Sequence, residues 1–350
     1  MKKTLFIGLL SVLAPWASAQ ATYLTNQHMD FRLQYNPVAT GSNRLDLVLG
    51  YDPGQRATNS QVYIVGNTNA KVNIPANPNY AFLGAAGSPV WILPQSQNTS
   101  LPYLGISAED IPNGVFTDPM QLEVVAVEGP GKFFVWSVSG AGQPPTVKMI
   151  VTNGVVAPGF DHADILIGSH EHDNWAFSTN GLYRITFRVD GQFSGDATNT
   201  PGRDVAWAFQ ILPLRPWENW ISTNWLPATA SSTNGPATDP DGDGIPNALE
   251  YALGLNPNQA STAGLPTLSL ITTNGETYGA LTYTRAKQAT DVTFLPSVRN
   301  DLKSGDWTPL TVLVSVSDEG AVDRVTMRDT VPLSQITARF FQLRTKLNYP

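Results

Sequence analysis

The chain contains no cysteine and only four histidines in 350 residues. Without cysteine there is no disulfide framework, no thiolate ligand and no thiol nucleophile, so metal chemistry is left to imidazole and carboxylate groups. Charge is scarce as well. Asp, Glu, Lys and Arg make up 14 % of the chain, and 21 basic against 28 acidic residues leave a formal charge of −7. A nucleic-acid partner calls for clustered Lys and Arg, and this balance excludes one. After the first residues no apolar run approaches the roughly 20 positions needed to span a bilayer. The terminal "RTKLNYP" has no hydrophobic tail. No nucleophile elbow, phosphate-binding loop or dinucleotide fingerprint occurs, so no catalytic residue is assigned and the protein is expected not to be an enzyme.

What the chain does have begins with a leader. A basic "MKK", the apolar "TLFIGLLSVLAPW" and the small-residue "ASA" before Gln20 read as a signal peptide over residues 1–19. The mature protein is therefore expected to be secreted or held at the cell surface, with no transmembrane anchor after cleavage. From Tyr23 to Pro213, short alternating or apolar runs such as "RLDLVLGY", "KFFVWSVSG" and "LYRITFRVDG" are broken by turn residues. This pattern predicts an all-β protein whose first domain, residues 20–213, is an antiparallel β-sandwich. One helical turn is expected in "SAEDIPNGVF". Residues 214–238 read as a linker, Trp-rich at its front and rich in Ser, Thr, Asn and Pro behind. Its Trp217 and Trp220 are expected to pack against a neighbouring domain, with a glycan-binding platform as the alternative. Strands return over 264–347 and suggest a small second β-sandwich.

The most specific motif is "DPDGDGIPNALE", residues 239–250. Set on the twelve-position calcium loop, Asp239, Asp241 and Asp243 fall at positions 1, 3 and 5, with the turn-making Gly244 at 6. Ile245 offers a backbone carbonyl at 7, Asn247 sits at 9, and Glu250 at 12 can bind through both oxygens. "NALEYALGL" has helical period and ends at Gly254, but the preceding flank is not helical. Residues 239–257 thus read as a half EF-hand, similar to the isolated loops of dockerins and thrombospondin type 3 repeats, in which calcium stiffens the joint between domains.

The histidines are the second signal. In an extended "GSHEHDNWAF", His170 and His172 share one face, and two adjacent imidazoles can hold one zinc or other transition metal ion. Near the mature start, "QHMDF" puts His28 and Asp30 on one face of another strand. If the fold brings those strands together, His28, Asp30, His170 and His172 form one metal site. His162, in "GFDHADIL", is expected in a loop outside it. Trp175 and Phe177 are expected in the core, and Glu109 and Asp110 as solvated capping residues.

Three segments carry a family resemblance. "LPYLGISAEDIPNGVF", "LEVVAVEGPGKFFVWSVSG" and "GSHEHDNWAFSTNGLYRITFRV" resemble the actinobacterial surface-anchored protein domain, also called the choice-of-anchor M domain. Members carry an H-x-D near the start, a G-I-x-A-E segment, a G-P-G turn and an H-x-H-x-N-W-x-F block. Here these correspond to His28 and Asp30, Gly105 to Glu109, Gly129 to Gly131, and His170, His172, Asn174, Trp175 and Phe177. The resemblance covers roughly residues 23–213. It implies an exported, surface-associated bacterial protein of a kind often encoded beside metal-type transport systems, and it strengthens the histidine metal reading. It implies no activity. The rival readings are a glycan-binding or adhesion module with a cell-surface partner, and a metal-dependent enzyme.

Overall fold

The computed structural model describes residues 21–348 apart from positions 262 and 304. The signal-peptide reading of residues 1–19 lies outside them. The protein is mostly β, with a large sheet curled into a half-barrel, smaller sheets and a short helical stretch.

The large sheet has twelve strands. It runs from Thr22–Leu24 through Val62–Gly66, Val205–Ile211, Gly181–Phe193, Phe116–Glu128, Val155–Ile165, Thr146–Thr152, Phe133–Ser137, Asn174–Phe177 and Pro89–Leu93 to Lys71–Asn73, with Thr200–Pro201 beside 181–193. A five-stranded sheet shares its core, in the order His170–His172, Tyr103–Ser107, His28–Tyr35, Leu45–Tyr51 and Gln55–Ala57. Most pairings are antiparallel as expected. Three are not: Thr22–Leu24 with Val62–Gly66, Val62–Gly66 with Val205–Ile211, and His28–Tyr35 with Tyr103–Ser107 run parallel. Parallel neighbours need crossover connections, and alternation along one strand carries no record of them.

Period-two burial drives the stacking of the two sheets. Met29, Phe31 and Leu33 are fully buried, while His28, Asp30 and Arg32 alternate with them on the other face. The Phe31 ring lies 5.5 Å from Trp175, 5.4 Å from Phe187 and 5.3 Å from Trp207. Each such pair adds about 0.5–1.5 kcal/mol beyond simple burial, so this aromatic knot holds the five-stranded sheet in register on the large one.

The expected helical turn in "SAEDIPNGVF" is not helical. Residues 108–115 form turns, and Phe116 already begins a strand. The segment read as a linker is ordered at its front. Pro216–Asn224 is an α-helix, started by Pro216 and by a Glu218 carboxylate that accepts from the Arg215 backbone N–H. Trp217 and Trp220 are buried with Tyr251, Ala286 and Ala289. The packing expectation for these tryptophans is met, and they offer no exposed platform. Beyond them, Thr267–Thr273, Glu276–Ala286, Val322–Arg328 and Val312–Glu319 form a four-stranded sheet, and Thr308–Pro309, Val292–Arg299 and Phe340–Leu347 a three-stranded one. Leu281, Tyr283, Val298, Leu310 and Val325 are buried between them.

Candidate metal centre

The outer face of the five-stranded sheet gathers residues from three strands by register alone. Asp30 pairs with Gly105, and Gly105 pairs with His172, so the three stand in one row across the sheet. His28 pairs with Tyr103, one step along the same face. The His172 imidazole lies flat on the Tyr103 ring, 3.7 Å away and 5° from parallel. This stack fixes the imidazole plane before any ligand arrives.

His28, Asp30 and His172 converge. Their contacting atoms are separated by 3.2 Å (His28 Nε2 to His172 Nε2), 3.5 Å (His28 Nε2 to Asp30 Oδ1) and 3.8 Å (His172 Nε2 to Asp30 Oδ1). The three residues form a group able to hold a metal ion. The point equidistant from those three atoms lies about 2.0 Å from each, the length of a zinc–nitrogen bond. Asp30 Oδ1 is buried and has no hydrogen-bond partner, and neither has His172 Nδ1. A buried oxygen left unpaired is costly, and here it borders the space between the imidazoles.

Gly105 is what makes the space. A Cβ at that position would lie 2.4 Å from Asp30 Oδ1 and 2.9 Å from His172 Cε1. In sequence the glycine stands out only as part of a motif; its place between Asp30 and His172 appears once three strands are aligned.

Electrostatics suit a cation. Burial pushes the Asp30 carboxyl above the usual carboxylate range, while His28, His170 and Arg32 pull it back down. Burial, and then the neighbouring His28, lower His172 to about 4, so its imidazole is neutral at pH 7 and its lone pair is free to bind.

His170 shares the sheet face but stands outside the converging trio. Its ring centre is 6.5 Å from that of His28 and 5.7 Å from that of His172, and its Nδ1 lies 3.2 Å from Glu109 Oε1. The reading of Glu109 and Asp110 as solvated capping residues is corrected. Asp110 takes two Arg32 N–H donors at 2.9 Å, pairs with Arg56, and is held at about 2, chiefly by the bond from Arg32. Glu109 joins Arg32 to His170. No helix exists there to cap; the acids instead tie a turn to the site's rim. A cavity of about 250 Å³ opens beside His28 and Asp30, lined also by Arg32, Asp52 and Arg56.

His162 lies in the strand Val155–Ile165 rather than a loop, against Asp161 and Asp164. Trp175 and Phe177 are fully buried as expected. The reason is a change of sheet: His170–His172 belongs to the five-stranded sheet and Asn174–Phe177 to the large one. Asp173 marks the crossing, fully buried and paired with Lys148 at 2.8 Å.

The carboxylates of Asp239, Asp241 and Asp243 lie close enough to share an ion. Gly244 takes φ +87°, where only glycine is unstrained, and its N–H donates to Asp239 Oδ2 at 2.8 Å. The Asp243 carboxylate accepts from the Ile245 and Ser261 backbones. Glu250 is buried with Oε2 unpaired, as is Asp241 Oδ2. Burial, then repulsion from Asp241, Asp243 and Asp239, raises Glu250 to about 7. Asn247 is also buried. Its amide nitrogen donates to Thr233, Gly235 and Thr238, and its carbonyl oxygen is unpaired.

Comparison with protein-family models and with curated proteins returned no match for this chain.

Proposed function

We propose that this is an exported bacterial protein of the cell surface or extracellular space that binds a transition metal ion, zinc foremost, without catalysing a reaction. His28, Asp30 and His172 hold the ion. His170 supplies a further imidazole from the rim, oriented by Glu109 as carboxylates commonly orient metal-ligating histidines. The observation that carries this reading is the equidistant point about 2.0 Å from two imidazole nitrogens and an unpaired buried carboxylate oxygen. The choice-of-anchor M resemblance of residues 23–213 supports the exported, surface-associated setting.

We also assign calcium to the loop Asp239, Asp241, Asp243, Ile245, Asn247 and Glu250, as a structural ion. The support is the buried, unpaired Glu250 oxygen facing a carboxylate cluster that repels it. Calcium takes six to eight oxygens and removes that repulsion.

Elemental analysis of the purified mature chain tests the first reading. About one equivalent of a transition metal is expected, falling to background in His28→Ala and His172→Ala. Equal content in all three proteins ends it. A second reading, a metal-dependent enzyme, is favoured by the 250 Å³ cavity that borders His28 and Asp30, two of the three ligands. Metal-dependent turnover of any substrate that fills that cavity would replace the non-enzymatic reading.

A further inference from the structure

The outer face of the large sheet carries a second apolar layer, formed where the segment Pro78–Leu83 folds over Phe134, Trp136 and Ala176. Where that covering stops, a groove of about 710 Å³ opens between the segment, the strands and the loop Gly140–Gln143. Its volume lies within the usual range of small-ligand sites, roughly 300–1,000 Å³.

The lining is chemically distinctive. Not one residue around the groove is Asp, Glu, Lys, Arg or His. Amides take their place: Asn73, Asn77 and Gln143 are exposed on the rim, and Asn174 and Gln95 lie deeper. The deep pair is rigid. Asn174 and Gln95 bond to each other twice, at 2.8 and 3.1 Å, and Gln95 also holds both the N–H and the C=O of Val138. Half-buried Tyr80 and Ile92 supply the accessible apolar part of the wall, backed by the buried Leu83 and Trp136.

We infer that this groove binds an uncharged oligosaccharide. On the rim, Asn73 and Gln143 each place a donor beside an acceptor, which matches neighbouring hydroxyl groups on a sugar ring, while the deep Asn174–Gln95 pair, bonded to itself and to Val138, holds the floor rigid. The aromatic and aliphatic wall accepts the ring's C–H face. A charged glycan would leave its charge desolvated against a wall with no counter-ion. The site is separate from the metal ligands and from the buried Trp217 and Trp220.

The test begins with a glycan array that carries both neutral and acidic oligosaccharides, followed by calorimetry with the strongest neutral binder. Tyr80→Ala removes the ring. Ala141→Trp, at an exposed loop position, fills the groove without touching the core. Binding is expected to neutral glycans only, weakened by about tenfold or more in both variants. Ala141→Trp should melt at the wild-type temperature, and chelator-treated protein should bind as well as untreated protein. Absence of any neutral binder overturns the inference. So does a preference for acidic glycans, or affinity unchanged in both variants.

Discussion

One hydrogen atom in place of a methyl group decides whether the row Asp30, position 105, His172 is a cradle or a filled sheet face. With a Cβ only 2.4 Å from Asp30 Oδ1, Gly105→Ala is expected to abolish metal binding as completely as His172→Ala. It should also cost the metal-free protein about 1–3 kcal/mol through overpacking. Metal content and urea denaturation read the two effects separately; full metal occupancy in Gly105→Ala would contradict the geometry. Tyr103 acts differently, by stacking on His172 rather than by standing among the three converging side chains. Tyr103→Leu should keep the stoichiometry but weaken affinity by about tenfold, within the range for residues that orient ligands, as a competition titration with a chromophoric chelator would show. At this scale the sequence was most legible where a residue type is rare. Four histidines in the chain made His28, His170 and His172 visible at once. Gly105, one of 29 glycines, had no such contrast.

The acidic loop and the helix Asn247–Leu253 form one element, and its charge balance yields a pH dependence. Glu250 titrates near 7 in the fold but near 4.3 in an unfolded chain. Between those values the calcium-free fold binds the proton more readily than the unfolded chain does. The contribution of protonated Glu250 to stability is therefore fully present below the unfolded value and is lost as pH rises through 7. Thermal melting in chelator should fall over that window, and Glu250→Gln should flatten the fall. Saturating calcium should remove it too, because the ion replaces the proton. At 10 mM calcium, a site with the 10⁻⁴–10⁻³ M affinity typical of extracellular modules adds about 1.4–2.7 kcal/mol. No melting shift with calcium would refute the assignment. This element was readable from sequence because every group in it lies within a dozen residues, so spacing alone sets the geometry. The Ser/Thr-rich stretch before it also read as loop. The helix Pro216–Asn224 did not, because its stability comes from Trp217 and Trp220 finding Tyr251, far along the chain, rather than from a run of strong helix formers.

Across the whole molecule, Asp291 joins three parts. Its carboxylate accepts from the Tyr251 hydroxyl at 2.5 Å and from the Trp217 backbone at 3.1 Å. The calcium-loop helix, the Trp helix and the carboxyl-terminal sheets thus meet at one side chain. Asp291→Ala leaves the Trp217 N–H unpaired and the buried Tyr251 phenol with only its 3.4 Å bond to the Gln288 carbonyl, and should cost about 1–3 kcal/mol by urea denaturation. Limited proteolysis should then cut first between residues 224 and 240 of the variant, at sites protected in the parent protein; an unchanged cleavage pattern would mean that the three parts are held together elsewhere. The sequence by itself determined where most strands run, which face of each is apolar, and where the carboxylates of Asp239, Asp241 and Asp243 gather in one loop, because these follow from periods of two residues and from contacts within one turn of chain. Only the tertiary structure decided that His28–Tyr35 lies parallel beside Tyr103–Ser107, and that the chain changes sheets at Asp173. It also decided that His172, not His170, meets His28 and Asp30. Strand order and register are settled by how aromatic side chains such as Phe31 and Trp175 fill one shared core, and no local pattern along the chain records that choice.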